Sequence, residues 1–162
     1  MAVAVPSSAA DLAPLFEGAP RFLARLEAAG PFGTGDELFA AARTIAHAMP
    51  EPEQLELIDA HPRLGAPPGT VSAMSFREQG YDQGGEAGLS GGDLATALER
   101  ANEAYEARFG FRYCVFVNGR SREALLPGMA AALDQPREAE LHRALDAVVD
   151  IAIDRHAKLT AT

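Results

Sequence analysis

The chain has 162 residues, 48% hydrophobic and 23% charged, values of an ordinary globular domain that is long enough to bury a full core without disulfide or metal staples. Its 14 Lys and Arg against 23 Asp and Glu leave a net charge of −9, a balance that disfavours nucleic acid and anionic membrane and leaves a small molecule or a protein as the partner. No apolar run approaches membrane-spanning length, the segment Met1 to Pro6 has no basic export region, and the single cysteine, Cys114, lies in the apolar run 113–117, so a cytoplasmic protein without disulfides is expected.

Helical periodicity dominates the chain from its start. Ser8-Ala9-Ala10-Asp11 reads as a capping box that opens a short helix through Leu12, Leu15 and Phe16 and stops at Gly18. Pro20 begins a second helix with Phe22, Leu23 and Leu26 on one face, ended by Gly30-Pro31. Thr34-Gly35-Asp36-Glu37 is a second capping box, after which Leu38, Ala42, Ile45 and Met49 keep helical spacing up to Pro50. A fourth helix, Glu51 to Ala60, delivers His61 at its C-terminus, where the macrodipole favours a protonated ring.

Residues 61 to 92 break this pattern with Pro67, Pro68, Gly69, Gly80, Gly84, Gly85, Gly88, Gly91 and Gly92. Only Ser75 to Gln79 reads as a helical turn there, with Ser75 as its cap. A long irregular stretch inside a compact domain is usually functional. From Asp93, Leu94, Leu98, Ala101, Tyr105 and Phe109 mark a helix closed by a left-handed Gly110, and residues 112–117 read as a buried extended segment. Asn118-Gly119 turns the chain, Ser121 caps a helix through Leu125, Met129 and Leu133, and Pro136 opens a last long helix with Leu141, Leu145, Val148 and Ala152 on its buried face. Seven or eight helices with one possible short strand cannot build a sheet, so the expected fold is a single all-α domain over 1–162, a helical bundle with a long irregular loop.

Two groups flank that loop and could move protons on a small polar substrate. His61 titrates near ~6.5 when unperturbed, and Glu78 could hold the imidazole or its charge in place. Alternatively, a His before Pro at a helix end simply hydrogen-bonds the last carbonyls. His47, His142 and His156 are dispersed on faces read as solvated, and no two histidines share metal-ligand spacing, so no metal is expected. Cys114 reads as a small buried hydrophobe. No Gly-rich phosphate loop follows a strand.

Leu57-Ile58-Asp59-Ala60-His61-Pro62, then Ser75-x-x-Glu78-Gln79, then Asn102-x-x-Tyr105-x-x-Arg108-Phe109-Gly110-Phe111, with Phe16-Glu17 and Pro31-Phe32 upstream, resemble the 2-oxo-4-hydroxy-4-carboxy-5-ureidoimidazoline (OHCU) decarboxylase family of uric acid breakdown. The resemblance runs in order from about Leu15 to His156, and several ordered motifs are far more specific than any one of them. It implies an all-α, cofactor-free enzyme, usually a homodimer, that decarboxylates its substrate to (S)-allantoin. It also implies roles: His61 as the catalytic imidazole, Glu78 as its acidic partner, and Pro62, Ser75 and Gln79 lining the substrate pocket, with Phe111, Val115 and Asn118 along its border. The chain departs from the family at Arg21, where tryptophan is common, at Asn118, where a basic residue is frequent, at Ala132, where arginine is common, and at Arg63, where an acidic residue is usual. Arg63, Arg77 or Arg120 could supply the missing basic group for a carboxylated substrate. The rival readings are a helical binding or scaffold domain with an altered site, and an enzyme acting on a related ureido compound.

Overall fold

The computed structural model describes residues 4–66, 72–79 and 91–161. Among these residues all regular structure is helical, in eight helices: α1 (Ala9–Phe16), α2 (Pro20–Ala29), α3 (Gly35–Ala48), α4 (Glu51–Asp59), α5 (Ala73–Glu78), α6 (Gly91–Phe109), α7 (Arg122–Ala132) and α8 (Arg137–Thr160). The possible strand at 112–117 is without regular secondary structure. No described helix is long and apolar enough to cross a membrane.

The helix starts are set by local chemistry. Ser8 accepts a hydrogen bond from the Asp11 amide at 3.1 Å, Thr34 from Glu37 at 3.1 Å, and Ser121 from Ala124 at 3.0 Å. Each satisfies one amide that the first helical turn leaves without an intrahelical partner. The Thr34 box closes one residue further out than expected, because Glu37 accepts from the Gly33 amide at 2.8 Å. Pro20 stands at the start of α2, and Gly110 takes φ 83° just beyond α6, a conformation that costs glycine almost nothing. The Gly30-Pro31 bond is cis. One cap differs from expectation: Ser72, not Ser75, caps α5, accepting from the Ser75 amide at 3.1 Å, so Ser75 lies within the helix and is buried.

The chain falls into two compact units, Met1–His61 with His142–Thr162, and Pro62–Leu141, the boundary falling inside α8. In the first unit α2 packs on α1, α3 and α4. Leu12, Leu15, Phe16, Phe22, Leu26, Leu38 and Ile58 are fully buried there, and the Phe16 and Phe22 rings meet edge to face at 4.9 Å. Each such side chain contributes roughly 1.5–3 kcal/mol of burial free energy. In the second unit α6 packs on α7, and Tyr105 stands at the centre of an aromatic cluster with Phe109, Phe111 and Tyr113 at 4.7, 5.8 and 5.0 Å. Cys114 is buried, as its apolar surroundings imply.

Candidate functional site

His61 lies just beyond α4, after the C-cap Ala60. Its amide donates to the Ile58 carbonyl at 3.1 Å, and ring Nδ1 lies 3.2 Å from the Leu57 carbonyl oxygen. The side chain is only 4% exposed. Burial pushes the imidazole down to a pKa of about 4, the positive charge of Arg155 pushes the same way, and Glu17 and the Leu57 carbonyl oppose them. This reverses the sequence expectation of a ring protonated by the helix end. A helix terminus contributes at most about 2 kcal/mol toward the cation, whereas full desolvation moves a pKa by as much as ~3–5 units. His61 is therefore a neutral imidazole at neutral pH, with Nδ1–H donating and the lone pair on Nε2.

Two charged residues that the sequence reading gave no role complete this neighbourhood. Arg155, on α8, is 1% exposed, and it donates from Nη1 to the Pro14 carbonyl at 3.0 Å and from Nη2 to Glu17 Oε1 at 2.7 Å. A buried guanidinium requires such a partner, because an unpaired charge in the interior costs several kcal/mol. A signal for it was present in the sequence. Leu141, Leu145, Val148 and Ala152 define the buried stripe of α8, and Arg155 is its next member, a cation where the pattern calls for an apolar residue. Glu17 is the C-cap of α1 at φ 60°, a left-handed conformation rare for residues other than glycine.

In the second unit, α5 carries Ser75 and Glu78 three residues apart on one face, with Gln79 as its C-cap. Ser75 is 3% exposed and Glu78 is half-buried. Gln79, 6% exposed, uses both ends of its amide on backbone: Nε2 donates to the Arg63 carbonyl at 3.2 Å, and Oε1 accepts from the Gly65 amide at 2.7 Å. Asn102 on α6 adds a third link, donating from Nδ2 to the Leu64 carbonyl at 2.9 Å and to that of Leu98 at 2.8 Å. Arg63 in turn pairs with Glu106 at 2.7 Å. The segment that follows the half-buried Pro62 is thus pinned at three successive residues. Gly65 is required in it, since φ is +82° and a Cβ would come within 2.7 Å of Leu98 Cδ1.

The remaining expected border residues are spread out. Phe111 is 2% exposed, within the aromatic cluster and under the Arg137 guanidinium, whereas Val115 is half-buried and Asn118 is exposed at φ 49°. Of the arginines considered for a substrate carboxylate, Arg63 is held by Glu106, Arg120 is turned back on the Val117 and Phe116 carbonyls, and Arg77 is exposed. Arg21 pairs with Glu56 at 2.8 Å, and Ala132 is buried on α7. Of the histidines expected on solvated faces, His142 is exposed and His47 and His156 are half-buried: His47 meets Asp146 at 2.8 Å and the His142 ring at 5.1 Å, and His156 meets Phe39 at 5.5 Å. The Gly- and Pro-rich positions 67–69, 80, 84, 85 and 88 lie outside the described residues. Among the described residues, no group of three His, Cys, Asp or Glu could hold a metal ion.

Comparison with known proteins bears on this arrangement. A family model described as OHCU decarboxylase matches residues 4–157. The 2-oxo-4-hydroxy-4-carboxy-5-ureidoimidazoline decarboxylase of Haloferax volcanii is 29% identical over 138 residues, covering 85% of this chain and 80% of that protein. The uric acid degradation bifunctional protein PucL of Bacillus subtilis is 32% identical over 148 residues, 91% of this chain, which spans 29% of PucL. Among solved structures, an OHCU decarboxylase crystallised in the presence of (S)-allantoin superposes with a TM-score of 0.73 at 22% identity, covering 94% of this chain and 98% of that one, and shares the fold.

Proposed function

The chain belongs to the OHCU decarboxylase family, and from that membership we propose that it decarboxylates 2-oxo-4-hydroxy-4-carboxy-5-ureidoimidazoline to (S)-allantoin in uric acid degradation. The observation that carries this reading is His61: a buried, neutral imidazole whose tautomer is set by Leu57, in the motif through which the chain resembles the family. In the reaction the bond from the ring carbon to the carboxylate breaks, CO2 leaves, and the electron pair stays on the ring. The adjacent carbonyl and imine groups delocalise it, and one proton is taken up. No external electron sink is needed.

A neutral His61 accepts at Nε2 the proton of the hydroxyl on the carbon that lost CO2, which becomes the carbonyl of the product, and delivers it to one face of the neighbouring ring carbon that bears the ureido group. Glu78 is its acidic partner in this reading, and Pro62, Ser75, Gln79, Phe111, Val115 and Asn118 line or border the substrate. For Gln79 that role is through the backbone it holds at Arg63 and Gly65. The basic group for the substrate's negative charge is Arg155 in this reading, a guanidinium only 1% exposed in the same compact unit as His61. A cytoplasmic, cofactor-free homodimer belongs to the same reading, and the buried thiol of Cys114 suits a reducing compartment.

The test is direct. Freshly generated urate oxidation product is added to the purified protein, and allantoin is followed by circular dichroism, with and without chelator. Rapid appearance of dextrorotatory (S)-allantoin that is indifferent to chelator supports the reading. No acceleration over the spontaneous reaction would leave a helical binding domain as the better account, and chelator-sensitive activity would remove the cofactor-free part.

A further inference from the structure

The turn that ends α1 retains a residue that its backbone disfavours. Glu17 and Gly18 take φ 60° and 87° in succession, so the chain passes through two left-handed residues, of which only the second is glycine. For a side chain such as glutamate the left-handed conformation costs roughly 1–2 kcal/mol. Glycine at position 17 would remove that cost, and a strained residue that persists points to a use for its side chain. The side chain is half of a buried ion pair, Glu17 Oε1 to Arg155 Nη2 at 2.7 Å, with the Arg155 side chain 1% and the Glu17 side chain 14% exposed. The second anchor of Arg155 is the Pro14 carbonyl, from the same short helix. The end of α1 therefore grips the guanidinium from two sides.

We propose that Glu17 is a positioning residue for the decarboxylation, fixing the Arg155 guanidinium in the place from which it acts on the negative charge of the substrate. This rests on the decarboxylase reading above. Glu17, Arg155 and His61 belong to one compact unit, in which the charge of Arg155 disfavours and that of Glu17 favours protonation of the buried imidazole.

The proposal separates from a purely structural role through Glu17→Gly and Glu17→Gln. If only the turn mattered, Glu17→Gly would match or exceed the natural protein in both stability and rate, because glycine fits φ 60° better. As a positioning residue, Glu17 should lose at least about tenfold in kcat/KM in either variant. In the Arg155→Gln background, Glu17→Gln should change kcat/KM by less than about twofold, because its effect passes through Arg155. The guanidinium N–H resonances of Arg155, read by NMR, should lose their protection from solvent exchange in Glu17→Gln. Natural kinetics in Glu17→Gly, or additive losses in the double variant, would overturn the proposal.

Should both variants fail to fold, Glu17→Asp carries the test. It keeps the charge but is one methylene short, and it should cost several-fold in kcat/KM; natural kinetics in it would overturn the idea equally. If the natural protein itself shows no decarboxylation, the functional reading fails, while loss of the protected Arg155 signals in Glu17→Gln still establishes what holds the guanidinium.

Discussion

His61 Nδ1 lies 3.2 Å from the carbonyl oxygen of Leu57, one helical turn back along α4. A carbonyl can only accept, so the ring nitrogen facing it carries the proton, and Nε2 keeps the lone pair of the neutral ring. The helix end thus anchors the histidine and also fixes which ring nitrogen keeps its lone pair.

Replacing the imidazole should therefore remove the proton relay. His61→Asn is expected to lower kcat by about 10²-fold or more with a much smaller change in KM, because general acid-base groups contribute on that order. Steady-state kinetics on the folded variant, with its helicity checked by circular dichroism, decides it. A folded His61→Asn protein with near-natural kcat would remove His61 from the mechanism.

The pH dependence of stability should carry the signature of the same buried ring. The folded-state pKa of about 4 lies below the unfolded value near ~6.5. Above ~6.5 neither state binds the proton, and the full stability is present. As pH falls from there toward 4 the unfolded chain takes up a proton that the folded ring resists, so stability declines by roughly 3 kcal/mol before levelling off. Urea titrations from pH 7 to 4 should show this slope in the natural protein and a flatter one in His61→Asn. Parallel slopes would mean that the ring titrates alike in both states.

The links around residues 63–65 should be worth more to stability than their number suggests, since each satisfies a backbone group in the interior. Gln79→Leu loses a donor to Arg63 and an acceptor for Gly65, at an expected cost of about 1–3 kcal/mol. Asn102→Asp should cost more than Asn102→Leu, because it sets a carboxylate oxygen against the Leu64 and Leu98 carbonyls. Equal stability of the two Asn102 variants in urea would contradict this.

Glu78 and His61 are expected to act as one catalytic unit. Glu78→Gln preserves shape and removes charge, and should lower kcat/KM by at least about tenfold, with the Glu78→Gln/His61→Asn double variant little worse than the poorer single one. Fully additive losses in log kcat/KM would separate the two residues.

The helical architecture was legible in the sequence because its signals are local. Ser8, Thr34 and Ser121 cap their helices within three residues, Pro20 and Pro136 open theirs, Gly110 closes α6, and the apolar periodicity of α3, α6 and α8 returns as the buried faces. The place of His61, beside a break in that periodicity, was legible too. Its charge was not. A helix end favours the cation locally, and only burial, which depends on the whole packing, makes the ring neutral. Glu17 and Arg155 are separated by 138 residues and meet because α1 and the end of α8 converge. Gln79 and Asn102 likewise reach back 16 and 38 residues to the segment after Pro62. Periodicity and capping report on contacts within a turn or two of the chain, so they fix which residues are helical and which face is apolar; which buried charge sits beside which imidazole is set by long-range packing.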